Sequence, residues 1–382
     1  MEIPERLDKI SSFLVMDVLE KAQEMEKRGI DVIHLEVGEP DFDTPQVVKE
    51  ALKKALDDGC THYTHSLGDV ELREAICENF LSNYGVSINP DQVVVTSGTS
   101  PGIFLCLFAL LEANDEVILS DPGYACYPNF VRIAGGKPVC IPVYEHDGFQ
   151  FSPEIIKKKI FARTKAIFIN SPMNPTGNLL SENRLREIAN LSTYIISDEI
   201  YHGLVYKDRA HSILEFTDRA FVLNGFSKLY AMTGLRIGYV ITPGKFIRPI
   251  QRIQQNLFIS ANAAVQRAAI TALKDANEDI ERMKNIYNER RMYMTDRLRK
   301  LGFGLTVEPT GAFYVFVNAS HLSGDSYRLV FDILEKAHVG VTPGIDFGDN
   351  GEGYLRFSYA NSIENIKNGL DRIEDYISKY KK

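Results

Sequence analysis

The sequence predicts an α/β protein: a large domain with a mostly parallel mixed sheet covered by helices, and a smaller α+β domain beside it. Three observations carry that expectation. From about residue 45 to 242, short apolar runs alternate with amphipathic stretches, as do strands buried on both faces and their crossover helices. After residue 242 the rhythm changes to long helical stretches, and the tail then mixes short strands with helices. No repeat, low-complexity tract or Gly/Ser linker interrupts the chain, so the two domains are expected to share one rigid body.

In chain order, the expected strands are Gln92–Thr96, Glu116–Leu119, Lys137–Ile141, Lys165–Asn170, Thr193–Ser197, Ala220–Asn224 and Arg236–Ile241. Helical stretches such as Pro101–Leu111 and Glu182–Leu191 lie between them. Lys245–Lys274 reads as helix with one break near Ser260, and Asn277–Leu301 as one long charged amphipathic helix. In the tail, Phe313–Val317 and Tyr354–Ser358 read as strands, and Tyr327–Ala337 and Ile363–Tyr380 as helices.

Composition narrows the function classes. At 382 residues, with 45% hydrophobic and 25% charged, the chain has ample material for two packed domains. A net charge of -8 argues against a nucleic-acid partner, which needs a basic excess. No apolar stretch approaches the roughly 18 residues of a membrane span. Met1–Lys9 alternates acidic and basic residues without a signal core, so a cytoplasmic location is expected. Five cysteines without a C-x-x-C pair and eight scattered histidines without H-E-x-x-H fit reduced thiols and no metal site.

Chemistry concentrates where strands end. Asn224-Gly225-Phe226-Ser227-Lys228 leaves a strand and is followed by Met232, Gly234, Arg236 and Gly238. A lysine in such a loop is placed to form a Schiff base, its pKa lowered by desolvation and a neighbouring cation. Ser227 and Arg236 offer a hydroxyl and a planar fork suited to phosphate oxygens. An isolated Ser-Lys pair reads as solvated surface; the whole string after a strand does not. Asp198-Glu199-Ile200-Tyr201 follows the next strand end, where Asp198 would enter the crevice and hold a pyridine nitrogen protonated. Alone, such an aspartate reads as a helix cap.

Asn170-Ser171-Pro172-Met173-Asn174-Pro175-Thr176-Gly177 is a rigid turn in which one or both X-Pro bonds can be cis, and Asn174 can donate to a phenolate oxygen. Asn174 as a turn residue with local bonds is the competing reading. Thr96-Ser97-Gly98-Thr99-Ser100 joins a strand to a helix, and its small residues let N–H groups approach an anion. Tyr124, in Asp121-Pro122-Gly123-Tyr124, can stack on a flat ring or pack in the core. Each signal is weak by itself. Converging on strand ends, they specify a flat, phosphorylated, aldehyde-bearing heteroaromatic.

At these residues the chain resembles the class I/II aminotransferases of fold type I, pyridoxal-phosphate enzymes of the aspartate and aromatic aminotransferase kind. The resemblance runs from Val37-Gly38-Glu39-Pro40-Asp41-Phe42 to Arg356-Phe357-Ser358-Tyr359-Ala360. It implies that Lys228 carries pyridoxal 5′-phosphate, that Asp198 pairs with the pyridine nitrogen, and that Asn174 and Tyr201 bond the ring hydroxyl. By the same resemblance, Thr99, Ser100, Ser227 and Arg236 hold the phosphate, Gly98 belongs to the cofactor-binding loop, and Tyr124 stacks on the ring. Gly38, Asn174 and Arg356 are implied to receive the substrate, Arg356 gripping its carboxylate. Tyr63, in His62-Tyr63-Thr64, resembles the tyrosine that reaches the neighbouring subunit's phosphate, which implies a homodimer. The implied domains are a large one at 45–275 and a small one at 1–44 and 276–382.

The chain departs from the pattern of the family it resembles in one respect. A subgroup specialised for acidic substrates has lysine where this chain has Thr99, and many aspartate enzymes have tryptophan where it has Tyr124; there is no tryptophan here. The departure argues against strict aspartate specificity, and the expected donor is of aspartate or aromatic type, with a broader or aromatic one compatible with it. The expected reaction is ping-pong transamination by Lys228, Asp198 and Tyr201, from an L-amino acid to a 2-oxo acid, with 2-oxoglutarate as acceptor. A lyase on the same scaffold and a non-enzymatic regulator that binds the cofactor are the alternatives. Retention of pyridoxamine phosphate separates the first from a transaminase. The second lacks an appended helix-turn-helix and would leave the catalytic set without a cause.

Overall fold

The structure is a computed structural model that describes residues 8–380. Residues 1–7 and 381–382, the two ends of the expected small domain and most of the charged N-terminal stretch, lie outside the described residues.

Among the described residues, twelve strands follow in chain order: β1 (Ile33–His34), β2 (Val93–Thr96), β3 (Glu116–Asp121), β4 (Lys137–Pro142), β5 (Thr164–Asn170), β6 (Tyr194–Asp198), β7 (Ala220–Gly225), β8 (Gly238–Ile241), β9 (Tyr314–Asn318), β10 (Val339–Gly340), β11 (Thr342–Pro343) and β12 (Tyr354–Ser358). Seven of them form the main sheet in the order β2-β8-β7-β6-β5-β3-β4. Only β8 runs against its neighbours. The apolar runs are continuous because both faces are covered. Val93, Ile167, Ile195 and Val222 enter one core cluster, while Val94, Phe168, Ile196 and Phe221 enter the other.

The reversal of β8 matters for the site. The loops after β2, β3, β5 and β6 all emerge at the carboxyl edge of the sheet. Because β8 is antiparallel, the segment from β7 to β8 also turns at that edge, with Gly225 opposite Gly238 and Thr96 opposite Gly238. Glycine is required in this corner. A Cβ on Gly238 would lie 2.9 Å from the Gly98 carbonyl carbon and 3.1 Å from the Thr99 nitrogen.

The tail carries an antiparallel sheet of order β11-β12-β9, and β1 pairs in parallel with β10. Leu35 N–H donates to Gly340 O at 3.0 Å and Ser358 N–H to Leu35 O at 2.7 Å, stitching the N-terminal segment to the tail. The strand expected at Arg236–Ile241 begins at Gly238, because Arg236 has φ +53°, outside the strand region. The break near Ser260 separates helices Ile247–Leu257 and Ala263–Asp275. Helices Leu14–Lys27, Gln46–Asp57 and Val70–Tyr84 are additional to the elements read from the sequence.

Gly238→Ala is expected to lower stability by about 1–3 kcal/mol through overpacking against the Gly98–Thr99 backbone. The reduced urea midpoint, at an unchanged denaturant slope, would register it. An unchanged midpoint would show that the corner has slack.

Candidate active site

A cavity of about 360 Å³ opens at the carboxyl edge of the main sheet and is lined by every residue singled out from the sequence except Gly98 and Tyr63. A larger one, about 560 Å³, lies beside Tyr84, His202 and Lys274 and contains none of them.

Lys228 reaches in from the β7–β8 segment, and its Nζ donates to Gly38 O at 2.6 Å. Burial pulls its pKa down to about 8; Glu39 opposes that and Arg356 and Arg236 assist it. Asp198, at the end of β6, is only 4% exposed. Tyr127 Oη donates to its Oδ2 at 2.7 Å, and Ile200 N–H to its Oδ1 at 3.1 Å. Burial pushes the carboxyl up to about 6, with those hydrogen bonds and Lys228 working the other way. The neighbouring Glu199 has other partners: Ser197 and Ser212 hydroxyls and Ile213 N–H all donate to it, and burial pushes its carboxyl up to about 8. Adjacent carboxylates thus have separate environments, and only Asp198 lines the cavity.

Asn174 sits in the β5–loop turn, where Ser171-Pro172 and Asn174-Pro175 are both cis, as is Asp121-Pro122. Its backbone N–H donates to Asn170 Oδ1 at 2.8 Å, and Asn170 Nδ2 donates to Asp198 O at 3.0 Å, locking the turn to β6. Arg356, on β12 and 2% exposed, donates through Nη1 to Asn174 Oδ1 at 2.9 Å. Its Nη2 donates to Glu36 O at 2.6 Å and Thr342 Oγ1 at 3.1 Å, and its buried Nε has no partner. That orphaned N–H suits an incoming carboxylate.

Thr99 and Ser100 open the helix Thr99–Leu110, whose N-cap Gly98 has φ +97° and no side-chain cap. Its first-turn N–H groups are free to face an anion. A Cβ on Gly98 would lie 2.5 Å from Arg236 Nη2, so the glycine keeps the guanidinium beside the helix start. Arg236 Nη1 donates to Thr233 O at 2.8 Å, and Ser227 lies at the cavity wall. Tyr124 packs edge-on against Phe13 and Tyr127, with centroids at 5.9 and 5.1 Å. Tyr63 is 81% exposed and stands apart from this chain's cavity. An acid, an amine, an amide, a phenol and an anion cradle around one cleft fit a phosphorylated pyridine aldehyde.

The cavity also gathers residues the sequence did not single out. Tyr127 fixes Asp198, and the Tyr201 and Tyr314 hydroxyls lie 2.8 Å apart. Thr233 Oγ1 donates to Glu39, which lines the cavity, and Phe13, Val15, Met16 and Leu19 supply an apolar wall from the N-terminal helix. Tyr127 follows Tyr124 by three residues, a usable helix-spacing signal; nothing local marks Tyr314 or the wall. Among the described residues no His, Cys, Asp and Glu group could hold a metal, and no helix is long and apolar enough to cross a membrane.

The family described as aminotransferase class I and II matches residues 30–373. The chain is 42% identical to a (5-formylfuran-3-yl)methyl phosphate transaminase of Methanocaldococcus jannaschii, over 99% of this chain and 100% of that one. It is 36% identical to an aromatic-amino-acid aminotransferase of Thermococcus litoralis, over 100% of both. Aspartate aminotransferase from Thermus thermophilus, solved with maleate, superimposes with a TM-score of 0.94 at 36% identity, over 98% of this chain and 99% of that one. The chain therefore belongs to the class I and II aminotransferases of fold type I, a family known to use pyridoxal 5′-phosphate, and it is a transaminase.

Proposed function

We propose that the protein moves the amino group of an L-amino acid to a 2-oxo acid, with 2-oxoglutarate as acceptor, using pyridoxal 5′-phosphate held at Lys228. The observation that carries this reading is the entry of Lys228, Asp198 and Arg356 into one cavity of about 360 Å³. The cofactor would lie between a large domain at 45–275, which supplies Lys228 and Asp198, and a small one at 1–44 and 276–382, which supplies Gly38 and Arg356.

Pyridoxal phosphate, when bound, supplies an aldehyde that captures amines and a ring that accepts the electron pair released at Cα. Lys228 Nζ would be the base that takes the proton from the donor Cα. Asp198 holds a proton on the ring nitrogen, its Oδ2 fixed by Tyr127. Asn174 and Tyr201 would hydrogen-bond the ring oxygen, and Tyr124 would stack on the ring. Gly98, Thr99, Ser100, Ser227 and Arg236 hold the phosphate, joined by Tyr63 of the partner subunit in a homodimer. Arg356, with Gly38 and Asn174, orients the substrate carboxylate.

Of the two donor classes, aspartate and aromatic, charge and shape favour the aromatic. Among the described residues of one chain, the cations lining the cavity are Lys228, Arg236 and Arg356, and each already has a role. A second carboxylate on the donor would meet Glu39 and the wall of Phe13, Val15, Met16 and Leu19. An aromatic side chain buries there favourably.

Three outcomes test this. Mixing single amino acids with the loaded enzyme should discharge the Lys228-linked absorbance about 10-fold or more faster with phenylalanine or tyrosine than with aspartate. Pyridoxamine phosphate should accumulate. A preference for aspartate would overturn the donor assignment, and absence of pyridoxamine phosphate the reaction. Capture of pyridoxal phosphate by apoprotein should rise about tenfold from pH 7 to 9, because Nζ loses its proton through a pKa of about 8. Borohydride should then fix the label at Lys228, and Lys228→Ala should take none. Finally, mixing inactive Tyr63→Ala and Lys228→Ala chains should restore partial activity, since one of the two shared sites is then wild type. No recovery despite proven subunit exchange would remove Tyr63 from the partner's site.

A further inference from the structure

Tyr201 is buried, 4% exposed, and its hydroxyl lies 2.8 Å from that of Tyr314, itself 1% exposed. A phenol has one proton to give and lone pairs to receive. If Tyr201 spends its proton on Tyr314, none is left for a ring oxygen in the cavity; if Tyr314 is the donor, the Tyr201 proton points into the cavity. The direction of this single hydrogen bond therefore decides what Tyr201 can do.

The Arg356 guanidinium favours Tyr314 as the donor, and two further features hold the pair in place. The Arg356 guanidinium lies over its ring, 4.4 Å from the centroid, and a cation there makes Tyr314 the more acidic phenol. Its Oη abuts Gly38, where any Cβ would collide with it, so the glycine is what lets the hydroxyl occupy this position. The chain entering β9 is also held firmly. Ala312 has φ +55°, a conformation that needs support in a non-glycine residue, and Tyr206 and Tyr359 both donate to its carbonyl, at 2.5 and 3.1 Å.

We propose that Tyr314 is a positioning residue for transamination: its hydroxyl donates to Tyr201, which leaves the Tyr201 proton aimed at the ring oxygen of the cofactor, while its ring supports the Arg356 guanidinium. The ring-oxygen contact and the substrate-carboxylate anchor then share one side chain. This rests on Tyr201 facing the ring oxygen, as in the function proposed above.

The test is a pH titration of the Lys228-linked absorbance in the loaded enzyme. Tyr314→Phe removes one oxygen and keeps the ring under Arg356. Without its donor, Tyr201 shares its proton less well with the ring oxygen, so the less stabilised oxygen anion holds the neighbouring imine proton longer. The spectral pKa should rise by about half to one unit, the size of one neutral hydrogen bond. Tyr201→Phe should raise it at least as much, and the double variant no more than Tyr201→Phe alone. In steady state, Tyr314→Phe should lower kcat about 2- to 10-fold with KM within about twofold, because the Arg356 support remains. Titrations of wild type and Tyr314→Phe that coincide, or a double variant whose shift is the sum of the two, would overturn the proposal. A wild-type protein that develops no such absorbance would instead overturn the cofactor reading on which it rests.

Discussion

A guanidinium buried to 2% exposure, with no carboxylate in ion-pair contact among the described residues, is the constraint around which the cleft is organised. Burying an unpaired cation is costly unless other groups solvate it. Arg356 is solvated by three neutral oxygens from three places: Asn174 after β5, Glu36 beyond β1, and Thr342 on β11. The rings of Tyr314 and Phe347 add π-faces at 4.4 and 5.0 Å. The main sheet, the N-terminal segment and the tail sheet therefore meet at one side chain. Neutral partners leave its charge uncancelled, which is the state a carboxylate-binding arginine requires.

The same dryness acts on the other ionisable groups in opposite senses. It pulls Lys228 down to about 8 and pushes Asp198 up to about 6, because burial penalises whichever form is charged. Both groups are thereby brought toward the range in which protons move at neutral pH. A cationic ring nitrogen beside Asp198 would draw its carboxyl back down. Glu39 and Thr233, joined by a hydrogen bond, tie the segment after Leu35 to the β7–β8 segment just where Lys228 donates to Gly38 O. Electrostatics and chain geometry here are one arrangement.

Close approach of loops has its own requirement. Lys228 and Arg236 share the edge with Thr99 only because β8 runs backwards and because Gly98, Gly225 and Gly238 leave room for three backbones. The repeated glycines in the Lys228 string are therefore packing residues of the corner, and Arg236 takes a left-handed backbone to turn its side chain toward Gly98.

The sequence by itself determined the strands and the ends at which chemistry sits. A strand buried on both faces has to be a short apolar run, and polar residues beyond its carboxyl end have to enter the crevice. Lys228, Asp198, Asn174, Thr99 and Tyr124 were legible for that reason, each one a short step past such a run. The two-residue strands β1, β10 and β11 were not, being too short to show a period, and hydropathy carries the last strand of the main sheet back to Arg236 because a left-handed residue leaves no mark in it. Only the tertiary structure decided the pairings across distant segments: Tyr314 with Tyr201, Tyr127 with Asp198, Glu36 with Arg356, and the Phe13–Leu19 wall over the cavity. Those contacts join residues 71 to 320 positions apart, or elements far separated along the chain, and local patterns carry no information about which remote side chain will fill a given direction in space.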